Sequence, residues 1–128
     1  MYYVWEATDS TATIMTSIDQ RFSKGKAWSD DNKRIFHDNT GYIILQADTC
    51  ITLTENKEGQ WKDFMGMYKP EILKSKLFSV YLKHRKDAPA SYVYLTLPAT
   101  TQQKVRDFDS RSVHIIRNDK KAQAAVIN

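Results

Sequence analysis

The chain has 128 residues, a formal net charge of +4, 41% hydrophobic and 27% charged residues, which is enough for one domain with its own core and excludes the composition of a disordered chain. Its longest apolar runs, such as YIIL and AAVI, are far too short to span a bilayer, and the opening MYYVWEATDS lacks the basic and small-residue pattern of a signal peptide. The single cysteine, Cys50, excludes an intramolecular disulfide, and its apolar setting CITL predicts a buried thiol.

Strand signals dominate the chain. In TATIMTSIDQRF, Ala12, Ile14, Thr16, Ile18, Gln20 and Phe22 share one parity, and Thr11, Thr13, Ser17, Asp19 and Arg21 share the other, the period of a half-buried strand. SKGKAWSDDNKR is turn chemistry, and IFHDNTGYIILQ reads as two short extended pieces about a turn or bulge at Asn39, Thr40 and Gly41. CITLTEN predicts a strand closed by a turn at NKEG, and QWKDFMGMYKPEILKSK, without clean periodicity, a long connection. LFSVYLKH sets Phe78, Val80, Leu82 and His84 on one face; SYVYLTLP sets Val93, Leu95 and Leu97 against Tyr92, Tyr94 and Thr96. Joined by the turn RKDAPA, these two runs predict an antiparallel hairpin with both apolar faces inward. TTQQKVRDFDS is the one helix, capped by Thr100 or Thr101 with Val105 and Phe108 inward, and SVHIIRNDKKAQAAVIN closes the chain as strand, turn at NDKK and strand. Roughly eight short strands with at most one short helix predict an all-β, antiparallel β-sandwich as a single domain over residues 1–128.

The chemistry-bearing residues form no recognisable catalytic set. His84 shares a face with Phe78, Val80 and Leu82, which predicts a hydrogen-bonded structural histidine at the inner edge of a sheet. Tyr92 and Tyr94 share a face, as cross-strand aromatic packing requires. His37 and His114 stand alone in sequence, and the carboxylate pairs Asp30–Asp31 and Asp107–Asp109 lie in loop or helix-end contexts where solvated charge is the default. With no cysteine pair, no His-x-x-x-His and no glycine-rich phosphate loop, neither a metal nor a cofactor is expected. Charge is uneven: residues 1–56 hold five Lys/Arg against eight Asp/Glu, and residues 57–128 hold fourteen against seven. That basic second half fits a polyanionic partner or a solvated face.

Five phrases in order resemble polysaccharide lyase family 8, the hyaluronate, chondroitin and xanthan lyases: TSIDQRFSKG, IFHDNTGYIIL, EGQWKDF, LFSVYLKHRKDAPASYVYLTLPATT and VHIIRNDKKAQAAV. The resemblance runs over about residues 13 to 126. It implies a super-sandwich, galactose-mutarotase-like, packed beside a helical (α/α) toroid, in an enzyme that acts by β-elimination at a uronic acid. The family's catalytic Asn, His, Tyr, Arg and Glu map onto no residue here, so the resemblance implies a fragment lacking the toroid and the first sandwich strands, inactive alone. Where the family commonly has His–Gly and Pro–Gly, this chain has His84–Arg85 and Pro98–Ala99; loss of two easy positive-φ positions predicts altered turns.

The expected role is therefore a non-catalytic sandwich portion supporting the toroid and lining the cleft. The alternative is a free-standing carbohydrate-binding module for anionic glycans, in which Trp61 or Trp28 stacks on sugar. Trp61 and Lys62 in the long connection and Arg85 in the hairpin turn are the candidate substrate-binding residues. An anionic polysaccharide and the toroid domain are the expected partners, with a strand-edge dimer as a further one; no nucleic acid or membrane is expected. The parent protein is expected to be extracellular or periplasmic.

Overall fold

In a computed structural model, which describes residues 4–6, 13–31, 33–85 and 90–128, the strands are β1 (Val4–Glu6), β2 (Thr13–Phe22), β3 (Trp28–Asp30), β4 (Arg34–His37), β5 (Thr40–Gln46), β6 (Thr49–Gly59), β7 (Leu73–Arg85), β8 (Val93–Leu97), β9 (Val113–Asn118) and β10 (Gln123–Ile127). One helix, α1 (Gln102–Arg106), and two single 3-10 turns, Trp61–Asp63 and Ser110–Ser112, complete the described elements. The strands form two four-stranded antiparallel sheets, β1-β2-β7-β6 and β3-β4-β5-β8, and a separate β9–β10 hairpin. The sheets meet through Ile35 and Tyr42 on one side and Cys50, Phe78, Val80 and Leu82 on the other, which is the all-β sandwich expected, with ten strands where about eight were read.

The expected hairpin between the Phe78 and Leu95 runs does not form. β7 is the centre of its sheet, paired with β2 from Leu77 to Arg85 and with β6 from Leu73 to Lys83, so neither edge is open to β8. The chain instead crosses to the other sheet, where β8 pairs with β5; of the expected turn, residues 86–89 lie outside the described ones. Arg85 is the last residue of β7, opposite Thr13, rather than a turn residue. The β8 parity is also reversed. Tyr92 and Tyr94 pack on the core between the sheets, while Leu95 and Leu97 pair with Ile43 and Gly41 on the face that α1 covers.

Alternation in β2 breaks at a bulge between Ser17 and Asp19, which leaves Ile18 without a cross-strand partner. A bulge adds one residue and so flips every later side chain. Ile18 still packs on the core, but beyond it Asp19 and Arg21 pair with the core residues Val80 and Phe78. Phe22, expected inside, is 69% exposed, and Gln20 reaches Ser79 Oγ and Tyr81 Oη on the outer face.

NKEG is not a turn: β6 runs through it to Gly59, paired with β7 down to Leu73. This ribbon overhangs the second sheet, so both its faces are wet and its polar residues carry no alternation to betray a strand. At its end comes a connection over residues 60–72, four residues shorter than the one expected, because LKSK (Leu73–Lys76) is the start of β7.

The β4–β5 turn is a two-residue one at Asp38 and Asn39, both at positive φ (45° and 62°), between the paired His37 and Thr40. That is type I′ geometry, which Asp and Asn tolerate. Gly41 therefore lies in the strand, and its need for glycine is steric: a Cβ there would stand 2.2 Å from Val105 Cγ2. Val105 is the buried residue of α1, which Thr101 caps by accepting the Lys104 amide. Ala99 takes φ 51° in spite of its Cβ, so the turn after Pro98 keeps the left-handed step that the missing glycine was expected to remove. Among the described residues no helix is long and apolar enough to cross a membrane.

Candidate functional site: a polar bridge, an exposed loop and a cleft

The bulge in β2 and the tight turn of β4–β5 bring a polar group to the gap between the sheets. Arg21 donates through Nη1 to Thr40 Oγ1 at 3.1 Å and through Nη2 to Tyr42 Oη, and it forms an ion pair with Asp19. Tyr42 in turn donates its hydroxyl proton to Asp19. Burial, then the hydrogen bond to Asp19, holds the Tyr42 phenol above its ordinary pKa, so it stays a donor. One turn away, His37 is fully buried and stacked on Phe78, ring centroids 4.0 Å apart. Its Nε2 lies 2.7 Å from Ser23 Oγ and 3.4 Å from Asp38 Oδ2.

Serine, histidine and aspartate together suggest a nucleophile and base, and the geometry rules that out. A triad needs the serine on one ring nitrogen and the carboxylate on the other, so that the acid orients the base. Here both meet Nε2, and Nδ1 has no hydrogen-bond partner among the described residues. Burial pushes the His37 pKa down, as does Arg21, against the opposing pull of Asp38 and Asp19. The imidazole is therefore a neutral strut. The sequence showed His37 as isolated because its partners arrive from β2 and from the turn.

His84 is buried at the inner face of β7, as expected, and stacks on Tyr92 at 5.4 Å. It is not hydrogen-bonded as expected: neither ring nitrogen has a partner among the described residues. With 6% exposure it also lacks access to a substrate. Cys50 is buried, and burial raises its thiol to about 11, which leaves it inert. The carboxylate pairs are engaged locally: Asp30 with Arg34, Asp107 with Gln103, Asp109 with Arg111. No cluster of three potential metal ligands occurs among the described residues.

Trp61 opens the 3-10 turn of the long connection and is 60% exposed, its ring 6.4 Å from those of Phe64 and Tyr68. Lys62 is beside it and exposed. Arg85 is exposed at the opposite end of β7, about 40 Å away at ~3.3 Å per strand residue. The structure thus brings Trp61 and Lys62 together and leaves Arg85 apart. Trp28 has the Arg106 guanidinium over its ring at 4.9 Å, so one face is covered.

A cleft of about 580 Å³ opens between the start of β8 and the β9–β10 hairpin, with Tyr92, Tyr94, Arg117, Asp119 and Lys120 in its walls. Sequence reading placed Tyr92 and Tyr94 as packing residues and did not connect them with the NDKK turn. Pairing within each hairpin is local, but the approach of β8 to β9–β10 is tertiary and leaves no sequence signal.

Residues 5–109 match the family model for the polysaccharide lyase family 8 super-sandwich domain. A hyaluronate lyase from Thermasporomyces composti is 31% identical over 87 residues, which are 66% of this chain and 11% of that protein. A chondroitin AC lyase from Streptomyces coelicolor A3, solved in complex with chondroitin sulphate, superposes with a TM-score of 0.71 at 21% identity over 92% of this chain and 17% of its own. A mutant form of that lyase gives 0.72 with the same coverage. At that identity the structures share the fold, and the chain spans only 11% to 17% of the length of these relatives. The match over most of the chain, on a sandwich of the same fold, means that the chain belongs to polysaccharide lyase family 8, as part of its super-sandwich domain.

Proposed function

We propose that the chain is a non-catalytic sandwich portion of a lyase that cleaves uronic-acid-containing glycans, chondroitin or hyaluronan in kind, by β-elimination. Its work is to support the helical toroid that carries the chemistry and to line one wall of the substrate cleft, in a parent protein outside the cytoplasm. The observation behind this reading is the polar bridge. The groups able to move protons there, the half-buried Asp19 and the buried Tyr42 and His37, are held against Arg21, Ser23 and Asp38 between the sheets, where they fix the layers.

Elimination requires a base at the C5 proton and an acid at the leaving oxygen, both at one sugar. The polar bridge, closed on its own partners, offers no such pair. The chain alone should therefore release no unsaturated uronate from chondroitin or hyaluronan, followed by ultraviolet absorbance. Turnover that survives repurification and disappears in His84→Ala would overturn the reading.

The exposure of Trp61 with Lys62 beside it favours a second reading, a binding module for anionic glycans, in which sugar stacks on Trp61 and Lys62 supplies a salt-sensitive attraction. Arg85, at the other end of β7, would touch a separate stretch of a long polymer. Chondroitin sulfate binding at low and physiological salt, compared with Trp61→Ala and Arg85→Ala, decides it: equal binding by all three removes these residues from the site.

A further inference from the structure

The cleft between β8 and the β9–β10 hairpin is the described cavity of a size suited to a small ligand, since 580 Å³ falls within the range such sites occupy. One wall is aromatic. Tyr92, just before β8, and Tyr94 on it lie side by side with centroids 6.4 Å apart and planes 21° from parallel. His84 stacks on Tyr92 from the core side, and both tyrosines pack on the inter-sheet core, which fixes the pair as a platform.

The other wall is polar and held in place before any ligand arrives. Asp119 accepts the backbone amides of Lys121 and Ala122 at 2.7 and 3.0 Å and the Arg117 guanidinium at 2.6 Å. The Asn118 amide reaches the Tyr92 carbonyl at 3.4 Å and ties the hairpin to the aromatic wall. Lys120, at the tip of the turn, is exposed, and it leaves this wall with two cations against one carboxylate.

Tyrosine rings beside planar, pre-oriented carboxylate, amide and guanidinium groups suit a sugar. The rings take its C–H face, and the planar groups exchange paired hydrogen bonds with vicinal hydroxyls at little ordering cost. Excess positive charge selects an acidic sugar over a neutral one. We propose that this cleft binds a short acidic oligosaccharide, a di- or trisaccharide unit bearing a carboxylate or sulfate, as a holding site separate from any place of cleavage. The hairpin that forms the polar wall, residues 113–127, lies beyond the stretch matched to the family model. The choice of an acidic glycan rests on the lyase reading above; the platform and the fixed polar wall do not.

The test is amide and side-chain NMR mapping of the 128-residue chain titrated with chondroitin hexasaccharide, with neutral maltohexaose as the control. Saturable shifts at residues 90–94 and 117–125, weak or absent with maltohexaose, are the expected result. Lys120→Glu, at an exposed turn position whose fold is checked by its urea midpoint, should weaken binding about fivefold, as loss and reversal of one screened contact charge would. No saturable shifts at millimolar sugar, shifts centred on residues 61–62, or equal affinity in Lys120→Glu would each overturn the proposal. A chain that binds no sugar here, but still fails to cleave, loses the holding site and keeps the scaffold role.

Discussion

Gly41 and Val105 should behave as one coupled unit. Gly41 is not at positive φ, so alanine suits its backbone, and by chain entropy alone Gly41→Ala would stabilise by about 0.4–1 kcal/mol. The steric term is larger and opposite: the new Cβ would stand 2.2 Å from Val105 Cγ2, and Val105 is fully buried with no room to retreat. Overpacking of that kind costs about 3 kcal/mol. Val105→Ala alone should cost about 2 kcal/mol through lost burial and a small cavity. In the double variant the clashing methyl is gone. The nearest atoms to the Cβ added at position 41 become Thr100 Cγ2 at 3.3 Å and the Cβ at position 105 at 3.5 Å, which are tight and ordinary contacts. The cost of the double variant should return to about 2 kcal/mol, a coupling of ~3 kcal/mol against additivity. Urea midpoints of the four proteins, with unchanged slopes, measure this cycle. A double variant at the sum of the singles would show that α1 does not sit on β5 as described.

Two further outcomes are expected. Ala99→Gly should stabilise by about 0.5–1 kcal/mol, a Tm rise of a few degrees, because it relieves an L-residue at φ 51° and gives back only the unfolded-chain freedom of glycine; an unchanged or lower Tm would refute strain at that turn. Because burial lowers the His37 pKa below its ordinary 6.5, the unfolded chain takes up that proton first. Stability contributed by neutral His37 should therefore be whole above pH ~6.5 and fall as pH drops below it, toward the folded value. The urea midpoint of the parent should thus decline between pH ~7.5 and ~5.5 more steeply than that of His37→Gln; equal slopes would refute the assignment.

Much of the fold was legible from the sequence where one physical signal decides one element. Alternation marked the β7 face of Phe78, Val80, Leu82 and His84, and a threonine before an i, i+3 apolar pair marked α1, with Thr101 chosen by the Lys104 amide. What failed depended on pairing at a distance. Proximity in sequence favoured a β7–β8 hairpin, but β2 and β6 occupy both edges of β7. On β8, hydrophobicity ranked Leu95 and Leu97 inside, yet the sheet has two covered faces, and the tyrosines fill the wider space between sheets. Of the site candidates, exposure at Trp61 and Lys62 followed from an unpatterned loop; the distance to Arg85 required the full length of β7, whose first residues, Leu73 to Lys76, read as part of that loop.

The phrase FHDNTGY, which carried the family resemblance, now has a physical reading residue by residue. His37 fills a core position against Phe78 and hydrogen-bonds Ser23; Asp38 and Asn39 supply two positive-φ residues; Gly41 admits Val105; Tyr42 bridges to Asp19 and Arg21. Three of these roles join two different layers: sheet to sheet for His37 and Tyr42, sheet to helix for Gly41. The Tyr42 bridge depends on the bulge at Ile18, since without the extra residue Asp19 and Arg21 would face water and the Tyr42 hydroxyl would be buried without partners. A histidine and a tyrosine five positions apart thus each tie one sheet to the other, His37 by stacking on Phe78 and Tyr42 by bonding Asp19 and Arg21.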